Sequence, residues 1–342
     1  MNTGRDNTVG KIAYYHLPGL FEFYEFYREF LPLFREHREY FYDWCDIGSI
    51  YGAPADCLWG GGRAGFGEAE AAEVLALMRE YGISARLTFS NSLLTEAHLS
   101  DKKCNQLCAL LEDDTLLARQ EGKSGGSAQS CETAANGGTL QQYQRDGAHE
   151  EVSNGVIVYS DLLADYLKKN YPSLYLVSST TKVLTDFGQL LDEVNRGDFR
   201  YVVPDFRLNK SFDKWRTLSQ AQKDKVEFLC NECCFFGCKD RKLCYEVVSR
   251  KNLGEADTDF RCRAPGMDEG YRFSKAMENP GFIGIEDIKN TYLPMGFSNF
   301  KIEGRGLGSA LILEFLLYYM TKPEYQLRVR EAIYLDNMLD LF

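Results

Sequence analysis

The sequence has little histidine, four residues in 342, and none of them sits in a pattern that hydrolytic chemistry would use. His149 falls in a polar segment and His37 in an amphipathic stretch, where a solvated face is the default; His16 and His98 stand alone. No GxSxG elbow and no HExxH helix occurs, so neither a serine-hydrolase turn nor a zinc-protease helix is encoded. No GxGxxG or phosphate-binding loop follows the first strand-like run, which removes the commonest nucleotide-binding folds. Positive charge is also short: 39 Lys and Arg face 50 Asp and Glu, a formal charge of −11. Such a chain does not coat nucleic acid or an anionic membrane, both of which need clustered cations. The most apolar late stretch, Leu307 to Met320, contains Glu314 and falls short of the roughly 20 residues that span a bilayer. The first residues show no basic region followed by an apolar core, so no secretory signal is read and a soluble, cytoplasmic protein is expected.

Strand and helix patterns alternate through most of the chain. Apolar, β-branched runs occur at KIAYYH, CDIGSIYG, SARLTFSN, GVIVYS, LYLVSST, YVVPD, VEFLCN and FSNFKIEG. Between several of them lie amphipathic stretches such as GEAEAAEVLALMREYG, SDLLADYLKKNY and TDFGQLLDEVNRGD. This alternation implies a parallel sheet, and about eight strands favour a closed (β/α)8 TIM-like barrel over an open doubly wound sheet. Residues 1–342 are therefore read as one barrel domain. Residues 113–151 break the rhythm with Gly, Ser, Gln and charge and are read as a mobile insertion after the third strand, a variable loop in preference to a lid. Residues 323–342 are read as a C-terminal helix on the outside of the barrel.

Cysteine is the residue in excess. Eleven are present, an odd number, and six of them (Cys230, Cys233, Cys234, Cys238, Cys244, Cys262) crowd one stretch, while Cys45, Cys57, Cys104, Cys108 and Cys131 are scattered. In a reducing cytosol such residues persist as thiols, metal ligands or catalytic groups, and isolated ones are most often small buried hydrophobes. VEFLCNECCFFGCKDRKLC starts as a strand and ends as a loop at the strand's C-terminal end, where barrels build their sites. Cys234-x3-Cys238-x5-Cys244 supplies three thiolates and Cys262 is the nearest fourth. Four thiolates suit tetrahedral zinc or a 4Fe-4S cluster. A radical-SAM motif, C-x3-C-x2-C, fails because its third position is Arg241. Cys230 and Cys233 could instead open a zinc knuckle with Cys238 and Cys244, and a run of unliganded buried thiols is the remaining reading.

Other polar residues stand at strand ends. Alternation puts Lys301, Glu303 and Arg305 on one face of their strand, where inward charges must pair or bind a ligand. Arg63 follows three glycines that could present its guanidinium to an anion. Asn91, Asp205, Asn209 and the hydroxyls of Ser178, Ser179, Thr180 and Thr181 are weaker candidates.

Two segments carry a resemblance. NECCFFGCKDRKLCYEVVS (Asn231 to Ser249) resembles the hallmark of the U32 peptidase-like barrels, Asn-Glu-x-Cys-x3-Cys-x2-Arg-x2-His-Tyr, and GFSNFKIEGR (Gly296 to Arg305) resembles that family's Lys-Ile-Glu-Gly-Arg strand. SIYGAPADCLWGGGR, LTFSNSLLTEAHLSDKKCN and NGVIVYSDLLADYLKKNYPSLYLVSSTTK look like a bacterial subgroup of the same family, so the resemblance covers nearly the whole chain outside the insertion. It implies a TIM barrel. The family takes its name from collagenase-like peptidase activity; other members act in oxygen-independent hydroxylation of tRNA uridine or quinone precursors, some with a 4Fe-4S cluster on four cysteines. The hallmark histidine is replaced here by Cys244, one possible ligand for another. The resemblance implies a cluster on Cys234, Cys238, Cys244 and Cys262, with Cys57 in reserve, and functional use of Lys301, Glu303 and Arg305; these three and the glycine-flanked Arg63 are the expected catalytic residues. The expected function is an iron–sulfur enzyme modifying a small molecule or nucleoside, served by an electron-donor protein; the alternative is a peptidase-like or ligand-binding barrel with structural zinc.

Overall fold

The computed structural model describes residues 11–61, 69–124, 152–255, 260–265 and 270–339. All eight apolar runs form strands: β1 (Ala13–Pro18), β2 (Cys45–Gly52), β3 (Ser84–Phe89), β4 (Gly155–Val158), β5 (Tyr175–Ser178), β6 (Phe199–Val202), β7 (Glu227–Leu229) and β8 (Asn299–Lys301). Every pairing is parallel, in the order β6-β5-β4-β3-β2-β1-β8-β7. A single parallel bridge, Val202 to Val226, joins the two ends of that order, with Val202 N–H donating to the Lys225 carbonyl at 2.8 Å. The result is a (β/α)8 barrel.

The main helices are α1 (Tyr24–Glu36), α2 (Ala71–Glu80), α3 (Lys102–Ser124), α4 (Asp161–Asn170), α5 (Phe187–Asn195), α6 (Phe212–Trp215), α7 (Gln220–Lys223), α8 (Arg241–Asn252), α9 (Phe273–Glu278), α10 (Ile285–Asp287), α11 (Leu293–Met295), α12 (Ser309–Tyr319) and α13 (Gln326–Leu339). Ser160 and Asp186 start α4 and α5 by accepting the N–H of Leu163 and Gln189, satisfying donors that a helix start leaves open. Outward strand residues such as Tyr15, Ile50, Leu87 and Phe300 join the helices in one continuous apolar layer. A second, smaller apolar group made of Tyr51, Ile157, Val177, Val203 and Leu229 plugs the barrel itself. None of the described helices is long and apolar enough to cross a membrane.

Two boundaries differ from the sequence reading. The polar segment expected to leave the fold at 113 stays helical to Ser124. Its polar residues serve the next strand: Thr115 Oγ1 bonds the Leu111 carbonyl and accepts the Asn154 N–H at 3.0 Å, and Asp114 accepts Asn154 Nδ2 at 2.9 Å. Composition alone could not distinguish a solvated tract from one whose polar groups satisfy a strand entrance. Residues 125–151 lie outside the described residues. At the other end, Pro323–Tyr325 is a 3-10 turn and α13 packs against α1 and α12.

Candidate active site at the barrel mouth

Charge fills the barrel below its apolar plug. Arg86 stands in β3 between Ala85 and Leu87, and Glu227 begins β7 between Val226 and Phe228; all four neighbours are buried. Glu227 Oε2 accepts Arg86 Nη1 at 2.5 Å, and Oε1 accepts Lys301 Nζ at 3.3 Å. Arg86 Nε also donates to the Tyr175 hydroxyl at 2.6 Å. His16 completes the group: its Nδ1 lies 2.8 Å from Ser49 Oγ, and its Nε2 lies 3.2 Å from Asn299 Oδ1 and 3.5 Å from Glu227 Oε2. Burial, reinforced by Arg86, lowers His16 to about 3, so the ring is neutral. A proton on Nε2, facing the Asn299 amide oxygen and the Glu227 carboxylate, leaves Nδ1 to accept the Ser49 hydroxyl. Burial would push Glu227 up, but the surrounding cations outweigh it and hold the carboxyl well below the usual carboxylate range. Burial lowers Lys301 to about 8, with Glu227 opposing.

Glu303 and Arg305 stay close enough to Tyr51, and Arg305 to Lys301, to act on them electrostatically, although regular strand alternation does not carry to them. β8 ends at Lys301, and Gly304, at φ +154°, turns the chain. Lys301 points into the barrel, 3.4 Å from the Tyr51 ring centroid, while the Tyr51 hydroxyl donates to the Ile302 carbonyl at 2.7 Å. The plug thus lies against the ammonium group, and Lys301 is 6% exposed. Glu303 is half-buried at the mouth, its N–H donating to Asn231 Oδ1 at 2.8 Å. Arg305 Nε donates to Glu22 Oε1 at 2.6 Å, a carboxylate fully buried after β1. Arg63 lies outside the described residues.

The loop after β7 is held by a second ionic group. Asp205 follows β6 and accepts Arg207 on both oxygens, at 2.6 and 3.0 Å. Arg241, the first residue of α8, pairs with Glu232 and lies 3.5 Å from Asp205 Oδ2. Glu232 Oε1 in turn accepts the Cys234 N–H at 2.9 Å, Asn279 Nδ2 donates to the Cys234 carbonyl at 2.9 Å, and Arg207 Nη1 donates to the Cys238 carbonyl at 2.7 Å. The backbone at Cys234 and Cys238 is therefore fixed by Glu232 from within the loop and by Asn279 and Arg207 from elsewhere in the chain. Arg241, the residue that breaks the radical-SAM spacing, is the anchor of this loop.

The cysteines divide sharply. Cys45, Cys57, Cys104, Cys108 and Cys230 are fully buried, whereas Cys234, Cys238, Cys244 and Cys262 are half-buried and Cys233 is exposed; all ten are free thiols. Burial pushes the Cys234 thiol up to about 11, with Arg241 pulling the other way. Cys57 does not turn to this loop: its Sγ lies 2.9 Å from Cys104 Sγ in α3. Among the described residues, the possible ligands whose donor atoms all lie within 4.8 Å of one another are Glu232, Cys233 and Glu303. No three of the four half-buried cysteines close to that distance. A single tetrahedral zinc ion would draw thiolates to roughly 3.8 Å of one another. A four-iron cluster carries a separate iron under each thiolate and spaces them more widely.

Glu227, Arg86, His16, Arg207 and Glu232 were not singled out from the sequence. Their signal was present for the first two: a charge inside an otherwise apolar barrel strand must find an opposite charge across the interior.

No protein-family model matches the chain. No curated protein matches it. Among solved structures, that of a U32 peptidase is similar, at 14% identity over 89% of this chain and 97% of that one, with a TM-score of 0.45.

Proposed function

We propose that this chain is a cytoplasmic enzyme of the U32-like barrel class, with its reaction centre at the C-terminal mouth. In this reading Cys234, Cys238, Cys244 and Cys262 hold a 4Fe-4S cluster, and the protein acts in oxygen-independent modification, such as hydroxylation, of a small molecule or nucleoside. The observation that supports it is the partition of the cysteines: five are core residues, whereas Cys234, Cys238, Cys244 and Cys262 are half-buried free thiols, the first three between the end of β7 and the first turn of α8. When bound, the cluster would supply one-electron redox chemistry, and an electron-donor protein would be its partner. The chain's own part is positional. The Asp205–Arg207 and Glu232–Arg241 pairs hold the loop backbone, and Glu303 stands beside it as a carboxylate able to meet a substrate hydroxyl or amine.

Anaerobic purification with metal analysis and a visible spectrum tests this. Iron and inorganic sulfide in equal amounts, with a brown chromophore lost on Cys234→Ser and Cys238→Ser, are expected. Colourless protein with stoichiometric zinc, or iron that survives both substitutions, would overturn it.

A further inference from the structure

Cys57 and Cys104 lie apart from the proposed centre and have a chemistry of their own. Cys57 sits in the β2–α2 loop and Cys104 in the first turn of α3, where its N–H donates to Asp101 Oδ1 at 2.8 Å. Their sulfurs are 2.9 Å apart, 47 positions apart in sequence, and fully buried. The Trp59 N–H points at Cys104 Sγ from 3.5 Å. A disulfide needs about 2.05 Å between sulfurs, so closure asks for a shift of less than an ångström.

The loop that carries Cys57 also forms one wall of the mouth. Asn252, at the end of α8, donates from Nδ2 to the carbonyls of Cys57, Leu58 and Gly60 at 3.1, 2.9 and 2.7 Å. Asn91 Nδ2 reaches the Leu58 carbonyl at 3.3 Å and the Ser249 carbonyl, also in α8, at 3.4 Å. The state of the Cys57–Cys104 pair is thereby tied to the helix whose first turns hold Arg241 and Cys244.

We propose that Cys57 and Cys104 form a reversible disulfide, with a hydroperoxide as oxidant, that fastens residues 53–61 to α3. One thiol, as its thiolate, attacks the peroxide oxygen. The O–O bond breaks, the alcohol or water leaves, and a sulfenic acid remains. The second thiol attacks that sulfur, the S–S bond forms, the S–O bond breaks, and water leaves with the second thiol's proton. Two electrons pass from the two sulfurs to the peroxide. A dithiol reductant reverses the bond by exchange. The cross-link ties residues 53–61 to α3.

Full-length protein treated with hydrogen peroxide, alkylated after unfolding and mapped by mass spectrometry tests this. A peptide joining Cys57 to Cys104 is expected, together with loss of those two thiols and slower hydrogen exchange at Trp59 and Gly60. Dithiothreitol should restore all three readouts, and Cys108→Ala should leave the link intact. Cys57 and Cys104 still fully alkylated after the exposed Cys233 has been oxidised would overturn the proposal, as would a link from Cys57 to Cys108. Wild-type mapping decides the question even if Cys57→Ser fails to fold, and it reads the same whichever metal the other cysteines hold.

Discussion

Arg86 and Glu227 meet across the barrel interior at 2.5 Å, from strands β3 and β7 that are not neighbours in the sheet. Neither side chain reaches water. Each makes the other tolerable, and Lys301 and His16 complete a group that a wholly apolar barrel would not need. Removing one member leaves a charge stranded in low dielectric, and that cost exceeds whatever the intact pair contributes.

Glu227→Ala should therefore destabilise the fold by about 3–5 kcal/mol, because Arg86 and Lys301 lose their shared carboxylate. Urea unfolding of wild type and variant measures this. A cost below about 1 kcal/mol would mean that water enters the interior and solvates both cations. Replacing Glu227, Arg86 and Lys301 together by apolar residues of similar volume should be far less harmful than the single change.

His16 makes stability depend on pH in the mildly acidic range. Its ring is lowered from 6.5 to about 3 on folding. Below pH 6.5 the unfolded chain takes up a proton that the folded chain refuses, so stability falls as pH falls and is regained as pH rises. Between pH 7.5 and 5.5 the loss from this group is roughly 1 kcal/mol. His16→Gln should flatten that part of the profile. An unchanged slope would show that the ring takes up its proton in the fold as readily as in the unfolded chain.

How much of this was legible in the sequence depends on the range of the interaction. Each of the eight strands falls on or overlaps an apolar run, because strand periodicity and burial are local properties; CDIGSIYG matches β2 residue for residue. Lys301 was visible as an inward charge, but its partner lies in another strand 74 positions away. Nothing near Lys301 names Glu227. Alternation also assumed that β8 continued to Arg305, whereas it ends at Lys301 and Gly304 turns the chain. Cys57 was placed at the mouth by its position after β2, and its loop is there. The direction of its sulfur depends on α3, which no pattern around Cys57 encodes.

Glycine at 52 has a specific task. A Cβ there would fall against Glu22 Oε2 and within 2.7 Å of the Leu20 amide nitrogen. Gly52→Ala should push Glu22 off Arg305 and cost about 1–3 kcal/mol through overpacking and the loosened buried pair. Thermal unfolding measures the cost. Adding Glu22→Gln to Gly52→Ala should recover part of it, since a displaced amide is cheaper than a displaced carboxylate; no recovery would place the strain at Leu20 instead.

Asn252 makes the clearest test of how the mouth is assembled. Its one amide group spans three carbonyls of the β2–α2 loop, and Asn91 bonds both that loop and Ser249. Asn252→Ala leaves those carbonyls without this donor, which costs on the order of 1–3 kcal/mol where they stay buried. Much of that cost should appear as local opening, because the barrel strands do not depend on the contact. Hydrogen exchange should therefore accelerate at Trp59, whose N–H reaches Cys104 Sγ in α3, and at Gly60, whose N–H bonds the Cys57 carbonyl, while amides of β4 and β5 keep their protection. Equal acceleration in β4 would show that the loop and barrel unfold as one unit, and then no wall of the mouth could open while the strands stay intact.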